Sequence, residues 1–268
     1  MKTLDKIRQS EAIQPIVREL LEETFETQPF GTPVNAVAGT YTITANTIAK
    51  INNDDVIVVD GVVFTKKASP TGNFQFSNAL TLATNVNKLA NYTAVEGSGA
   101  VAIAYATKGV LGNDKVITIN IIEAVTAGGD GDGTEATATL SAATIALLAV
   151  GDTVTFDDVV YEKVTEDATG NEFTTQASLI ALMDATDDWG AVDSSGAIVI
   201  TATADDAGFN DVPILVDLNR VTASGVDGTP AKKSTLMVDA TRIYVCIAEN
   251  TIHDANWLRI SADLTTLA

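Results

Sequence analysis

The sequence predicts an α+β protein, predominantly β, with an N-terminal helical arm, two duplicated antiparallel-sheet-plus-one-helix modules and a small C-terminal β unit. Three observations support this fold class. A long segment occurs twice at a constant spacing. Aromatic residues make up only 6% of the chain and hydrophobic residues 46%, which is typical of thin β-rich modules with small cores. Alternating apolar runs are separated by Asp, Asn and Gly turn signals.

The duplication is read from matching segments. Residues 39–43 match 136–140, 47–49 match 144–146, 62–64 match 159–161, and Asn113-Asp114 matches Asn210-Asp211, each at an offset of 97. A constant offset indicates that one module was duplicated in tandem. The retained positions are Val-Val-aromatic hairpins, helix-face leucines and Gly-Asn turns, all of which build the fold. The duplication therefore extends a scaffold rather than preserving a site.

Length and charge restrict the class of protein. The 268 residues are enough for two domains. The formal net charge of −19 argues against nucleic-acid binding, because the phosphate backbone would repel such a surface. The N-terminus lacks the apolar core of a signal peptide, and no run approaches the roughly 20 apolar residues of a membrane span. We therefore expect a soluble protein made in a cytoplasm, with neither nucleic acid nor membrane as partner.

The first segment, residues 1–33, combines an amphipathic helix with a Pro/Gly hinge. Its apolar residues fall at helical spacing, with acidic residues mostly on the other side: Ile13, Val17, Leu20, Leu21 and Phe25. We expect these five residues to bind a partner or other copies of the chain. The alternative is a helix packed on the first module.

Module 1 covers residues 34–122 and module 2 covers residues 136–222. In module 1 we expect a strand at 39–45, a hairpin at 56–64 around Asp60-Gly61, a helix near 77–90 and strands at 100–106 and 115–121. The helix should bury Leu80, Ala83, Val86 or Asn87, and Ala90. In module 2 the corresponding elements are a hairpin at 153–161, a helix at 175–187 that carries Leu179, Leu182 and Met183, and strands at 197–204 and 212–218.

Two further segments complete the chain. Residues 123–135 are rich in Gly and Asp and indicate a flexible or extended linker. Residues 223–268 begin with a turn-rich stretch and end in a compact β unit with strands at 234–239, 242–248 and 257–261. The sequence leaves open whether the two modules pack on each other or are separate beads on the linker.

The linker is the most obvious metal candidate. An EF-hand loop that starts at Asp130 needs an acid at its twelfth position, where Ser141 stands. A calcium-binding nonapeptide needs Asp where Gly133 stands. We therefore interpret the segment as a solvated linker and expect no metal site.

Other candidate groups also favour structural roles. The acidic pairs Asp54-Asp55, Asp157-Asp158, Asp187-Asp188 and Asp205-Asp206 fall at predicted turns and helix ends, where Asp bonds to local backbone. The sequence contains no Gly-x-Ser-x-Gly nucleophile elbow with which His253 could form a catalytic triad. Cys246 lies in an apolar run typical of a buried thiol. Gly109, Gly112 and Asn113, with Gly208 and Asn210 in module 2, form a turn in which glycine supplies positive φ. We expect no catalytic residue and no cofactor.

The module resembles one that is repeated in virion proteins of tailed bacteriophages. The resemblance is carried by Val62-Val63-Phe64, Tyr92 and Gly112-Asn113, and by Val159-Val160-Tyr161, Trp189, Ile200-Thr201-Ala202 and Ala207-Gly208-Phe209-Asn210. The C-terminal segment is similar to the β unit of phage fibre and decoration proteins through Gly228-Thr229-Pro230, Asp239, residues 243–248, Asn250-Thr251 and residues 257–260. Module 1 departs from the pattern at Lys108 and Val110-Leu111.

The resemblance implies a non-enzymatic structural protein of the virion, assembled in the host cytoplasm. A capsid decoration protein or head fibre, anchored by its arm, is the leading expectation. Its partners would be other virion proteins of the capsid, neck or tail, and it would form a homo-oligomer, with a trimer expected for fibre-like proteins. The alternatives are a tail-associated protein (fibre, tube or baseplate decoration) and a carbohydrate-binding bacterial surface module.

Overall fold

The structure, a computed structural model, describes residues 33–129, 133–166, 168–228, 230, 235–238, 243–249, 251–252 and 254–260. They divide into two compact units. The repeat unit comprises Thr40–Ala104 and Asp114–Thr222. The terminal unit comprises the described parts of Met1–Gly39, Tyr105–Asn113 and Ala223–Ala268.

Both repeats contain the same elements in the same order. Repeat 1 contains β1 (Thr40–Ile43), α1 (Ala45–Lys50), β2 (Val56–Val59), β3 (Val62–Lys66), β4 (Gln75–Phe76), α2 (Ala79–Val86), β5 (Tyr92–Gly97), β6 (Ala100–Tyr105), a 3₁₀ turn (Val110–Gly112) and β7 (Val116–Val125). Repeat 2 contains β8 (Thr137–Leu140), α3 (Ala142–Ile145), β9 (Thr153–Phe156), β10 (Val159–Lys163), β11 (Glu172–Phe173), α4 (Gln176–Asp184), β12 (Trp189–Ser194), β13 (Ala197–Ala202), a 3₁₀ turn (Ala207–Phe209) and β14 (Pro213–Val221).

The strands of the two repeats share one eight-stranded sheet, with the order β11-β10-β9-β14-β7-β2-β3-β4. Each repeat also has a three-stranded antiparallel sheet, β1-β6-β5 in repeat 1 and β12-β13-β8 in repeat 2. In the large sheet the short outer pairs β3–β4 and β10–β11 are parallel. The predicted fold class, predominantly β with duplicated sheet-and-helix modules, is confirmed. The question of whether the repeats pack together is also answered, because they pair strand to strand.

The two predicted hairpins form as expected. Asp60 and Gly61 have φ of 51° and 77°, and Asp157 and Asp158 have φ of 49° and 60°. Two consecutive residues with positive φ characterise the tight turn whose twist matches the flanking strands. Val59 accordingly pairs with Val62, and repeat 2 keeps this register.

The two longer helices are shorter than predicted and begin at capping boxes. Asn78 caps α2 and Thr175 caps α4, each accepting a hydrogen bond from the backbone N–H three residues later. The predicted burial of Leu80 is wrong, since its side chain is 61% exposed. The helix begins at Ala79 and turns Leu82 inward instead.

Six elements were missing from the sequence prediction, including the two-residue strands β4 and β11. Helices α1 and α3 have only 6 and 4 residues, too few for a helical period to show in the sequence. Strands β5 and β12 follow the longer helices directly, where the sequence analysis predicted no strand. In repeat 2, this strand brings Trp189 to 4.8 Å from the Phe156 ring and 5.2 Å from the Phe209 ring. These aromatic contacts join the small sheet to the large one.

The terminal unit contains the predicted three-stranded β unit: β15 (Leu236–Val238), β16 (Ile243–Cys246) and β17 (Trp257–Ile260). Its apolar cluster consists of Met237, Tyr244, Cys246 and Trp257. Asn35 extends this unit, because its side chain bonds to both the N–H and the C=O of Trp257. Cys246 is fully buried, as the sequence predicts.

Candidate functional site

The most regular interface in the repeat unit is the seam, defined here as the antiparallel pairing of β7 with β14. Asn120 lies opposite Asp217 in this pairing, and the two numbers differ by 97, the repeat offset. A residue that pairs with its own equivalent marks a local two-fold axis, as in the isologous interface of a symmetric dimer. The repeats are therefore joined like the two subunits of a homodimer.

The register on either side of this pair follows the same symmetry. Ile121 pairs with Val216, the equivalent of Ile119, and Ile119 pairs with Leu218, the equivalent of Ile121. The inward-facing seam residues are no more than 1% exposed: Ile117, Ile119, Ile121, Ile214, Val216 and Leu218. The seam is thus part of the hydrophobic core rather than a surface contact.

Two buried threonines form hydrogen bonds at the two ends of the seam. The backbone of Thr126 exchanges two hydrogen bonds of 2.9 and 3.0 Å with Val212 and Asp211, and its hydroxyl accepts a third from the Val212 N–H at 2.9 Å. Thr222 makes the corresponding bonds to Asp114 and Lys115 at 2.8 to 3.0 Å. The end of the last strand of each repeat is therefore hydrogen-bonded to the turn of the other repeat.

The first residues of the predicted linker belong to the seam. Residues 123–125 belong to β7, and Ala127 pairs with Thr137. Glu123 is the extra residue of a β-bulge, because Ala124 and Ile122 pair with consecutive residues of β14. Within the linker, Asp130 to Asp132 lie outside the described residues.

The bulge directs Glu123 towards repeat 2. Its carboxylate accepts from the backbone N–H of Ser141 at 3.1 Å and from the hydroxyl of Thr144 at 2.6 Å, at the start of α3. Lys50 donates to the Ser141 hydroxyl at 2.8 Å. Negative charge is favourable at a helix N-terminus, so this contact strengthens the joint between the repeats.

Two equivalent carboxylates, Asp55 and Asp152, hold the loops before β2 and β9. Asp55 accepts from the N–H groups of Asn52 and Ile122 at 2.6 and 2.8 Å, and Asp152 makes the same two bonds within repeat 2. Asp152 is also paired with Arg220. Burial raises the pKa of Asp55 above its ordinary value. Both residues stabilise the fold and face no open cleft.

The other acidic pairs lie at turns, as predicted. Asp54, Asp157 and Asp158 have positive φ, and Asp206 caps a 3₁₀ turn through the Gly208 N–H. At the Gly-Asn turns the prediction needs correction, because Asp114 and Asp211, with φ of 59° and 61°, provide positive φ in both repeats. Gly109 does so in repeat 1 only.

A hollow of about 230 Å³ in repeat 2 collects Asp157, Asp158 and Asp211. Asp157 is already engaged, since it accepts a 2.9 Å hydrogen bond from the indole N–H of Trp189. Across the described residues, no group of three or more His, Cys, Asp and Glu is placed to hold a metal ion. We therefore interpret these carboxylates as structural.

Family models, curated proteins and solved structures yielded no match to the chain. None of the described helices is long and apolar enough to cross a membrane.

Several predicted residues cannot be placed. The partner-binding set Ile13, Val17, Leu20, Leu21 and Phe25 lies outside the described residues, and so does His253. Sequence reasoning missed Asn120, Asp217 and Asp152, and it placed Asp55 only at a turn. The 97-residue offset contained a signal for them, because Asn120 aligns with Asp217 and Asp55 aligns with Asp152.

The repeats differ strongly in charge despite their common fold. Repeat 1, residues 34–122, has six lysines and five acidic residues, a formal charge of +1. Repeat 2, residues 136–222, has fifteen acidic residues against Lys163 and Arg220, a formal charge of −13. Most of the negative charge of the chain is thus concentrated on one repeat.

Proposed function

We propose that this protein is a non-enzymatic structural component of a tailed-phage virion, acting as a capsid decoration protein or head fibre anchored by its N-terminal arm. The observation that carries the proposal is the pattern of retention between the repeats. The equivalents that persist are the hairpin turns, the loop-closing carboxylates Asp55 and Asp152 and the seam. Surface charge, in contrast, has diverged from +1 to −13.

This pattern favours a scaffold over an enzyme. An active site requires a few side chains to converge on one point, and duplication would keep such a set in at least one copy. The polar equivalents Asp55 and Asp152 bond to backbone N–H groups, and Asn120 and Asp217 bond to each other across the seam. A strongly acidic repeat also suits a surface that faces away from packaged DNA, since like charges repel.

The carbohydrate-binding alternative is less well supported. Glycan sites in proteins commonly present exposed aromatic faces, but Trp189 and Trp257 are only 2% and 7% exposed. The tail-associated alternative shares the proposed modules and differs only in placement. Electron microscopy of the parent particle, with the protein labelled, distinguishes head from tail, and a virion that contains no copy of the chain would refute the proposal.

The anchoring role of the arm has a separate test. Replacing Ile13, Val17 and Leu20 by Ser should abolish incorporation into particles, because these residues belong to the apolar stripe that the sequence predicts for the arm. Replacing Glu19, Glu22 and Glu23 by Gln is the matched control and should leave incorporation intact. Normal incorporation of the Ser variant, or of a chain that lacks residues 1–31, would show that the arm is not the anchor.

A further inference from the structure

The seam joins two copies of the same fold, repeat 1 and repeat 2. At the two-fold axis Asn120 Nδ2 donates to Asp217 Oδ1 at 2.5 Å. Both side chains are half-buried on the outer face of the sheet. They are equivalent positions of the two repeats, so pairing of like repeats would place identical side chains opposite each other.

We propose that the Asn120–Asp217 pair is a specificity determinant of the seam, which disfavours pairing of repeat 2 with a second copy of repeat 2. Repeat 2 against repeat 2 would set Asp217 opposite Asp217, and like charges directly opposite on neighbouring strands are destabilising. The charge of −13 on each repeat 2 would add repulsion over the whole interface. The unlike pair instead forms a charge-assisted amide–carboxylate hydrogen bond.

The geometry predicts that the two positions are interchangeable. Asn120→Asp alone creates the Asp–Asp pair and should lower the Tm of the full chain by about 2–4 °C at neutral pH. Adding Asp217→Asn restores an unlike pair with its members exchanged across the axis, and the Tm should return to that of the parent chain.

The matched control is Thr65→Glu, which adds one carboxylate on the same outer face. Its repeat-2 equivalent is already an acid, Glu162, so the parent Tm should be retained. If N120D leaves the Tm unchanged, or if the exchanged double variant is as destabilised as N120D, the proposal fails.

Specificity between chains has its own measurement. Asp217→Asn alone removes the discrimination at the axis, because every pairing then places Asn opposite Asn. The full chain is refolded from denaturant at high concentration, and its association is measured by sedimentation velocity. The variant should contain a larger fraction of higher-order species than the parent chain does. Asp187→Asn, which removes an exposed carboxylate elsewhere in repeat 2, should match the parent. Equal fractions for D217N and the parent would overturn the specificity role.

Discussion

At the scale of single residues, the buried carboxylates Asp55 and Asp152 have the same structural role in the two repeats. Each closes a loop by accepting one backbone N–H at each of its two carboxylate oxygens, which a neutral amide cannot do because one of its two ends is a donor. Asp152 also neutralises Arg220, whose side chain is only 15% exposed. The same substitution in the two repeats therefore removes different sets of interactions.

We expect Asp152→Asn to cost about 3–5 kcal/mol of unfolding free energy, because it leaves the Arg220 charge without its partner. Asp55→Asn should cost about 1–3 kcal/mol, the usual cost of a buried hydrogen-bonding group left unsatisfied. Asp54→Asn is the control, since Asp54 is exposed with a positive φ that Asn tolerates. Urea unfolding measures all three, and equal losses for D55N and D152N would contradict this account of Arg220.

The raised pKa of Asp55 has a consequence for pH dependence. Burial is the main cause of the increase, against the lowering effect of its two backbone donors. A carboxyl whose pKa is higher in the folded state binds protons more tightly when folded. Its contribution to the free energy of unfolding therefore falls as pH rises from the unfolded pKa through the folded pKa, and is constant above it.

The difference in unfolding free energy between the parent chain and D55N should accordingly fall with rising pH across this window. Urea titrations from about pH 4, near the pKa of a free Asp, to about pH 7 check it, and subtraction of the D55N curve removes the other carboxylates. A difference that rises with pH would mean that the two backbone bonds outweigh burial.

At the scale of elements, the hairpin turns show why the sequence was informative. Gly61 has φ of 77°, and its repeat-2 equivalent Asp158 has φ of 60°. A Cβ added at Gly61 would meet nothing within 4 Å, so only backbone conformation limits the residue. Asp-Gly and Asp-Asp turns satisfy the same local requirement with different residues.

Replacing Gly61 by Asn should therefore change the free energy of unfolding by less than about 0.5 kcal/mol, because Asn adopts positive φ. Replacing it by Val should cost about 1–2 kcal/mol, the strain of a bulky residue in this region. Thermal unfolding of the two variants checks the contrast, and equal stability would indicate that the turn changes its type.

At the scale of the whole molecule, the seam makes the two repeats of the repeat unit one cooperative structure. The continuous sheet passes from repeat 1 to repeat 2 through six buried seam residues. Loss of packing in one repeat should therefore be felt by the other. Separate domains on a flexible linker would behave independently.

Phe64→Ala tests this cooperativity. Phe64 is fully buried in repeat 1, and its loss should cost about 3–5 kcal/mol. We expect the repeat unit to retain one calorimetric transition at a lower temperature, with faster hydrogen exchange in β10 and β14 as well. Val63→Ala, at a neighbouring position that is 50% exposed, is the control. Two separate transitions, or faster exchange in repeat 1 alone, would show independent repeats.

The sequence by itself determined the duplication, the hairpins and the predominantly β character. These features depend on neighbours in the chain: a turn needs two residues with positive φ, and a strand needs alternating side chains. It also indicated the position of the longer helices, although their capping boxes set the ends. Helix α1 was missed because its six residues are too few to establish a helical period.

Only the tertiary structure decided how the repeats combine. Strand pairing joins residues far apart in sequence, so nothing local in Asn120 specifies Asp217 as its partner. The bulge at Glu123 and the exposure of Leu80 depend equally on what another element places opposite them. The repeat offset contained the symmetry, but the antiparallel register of β7 and β14 was needed to convert a duplicated sequence into a two-fold seam.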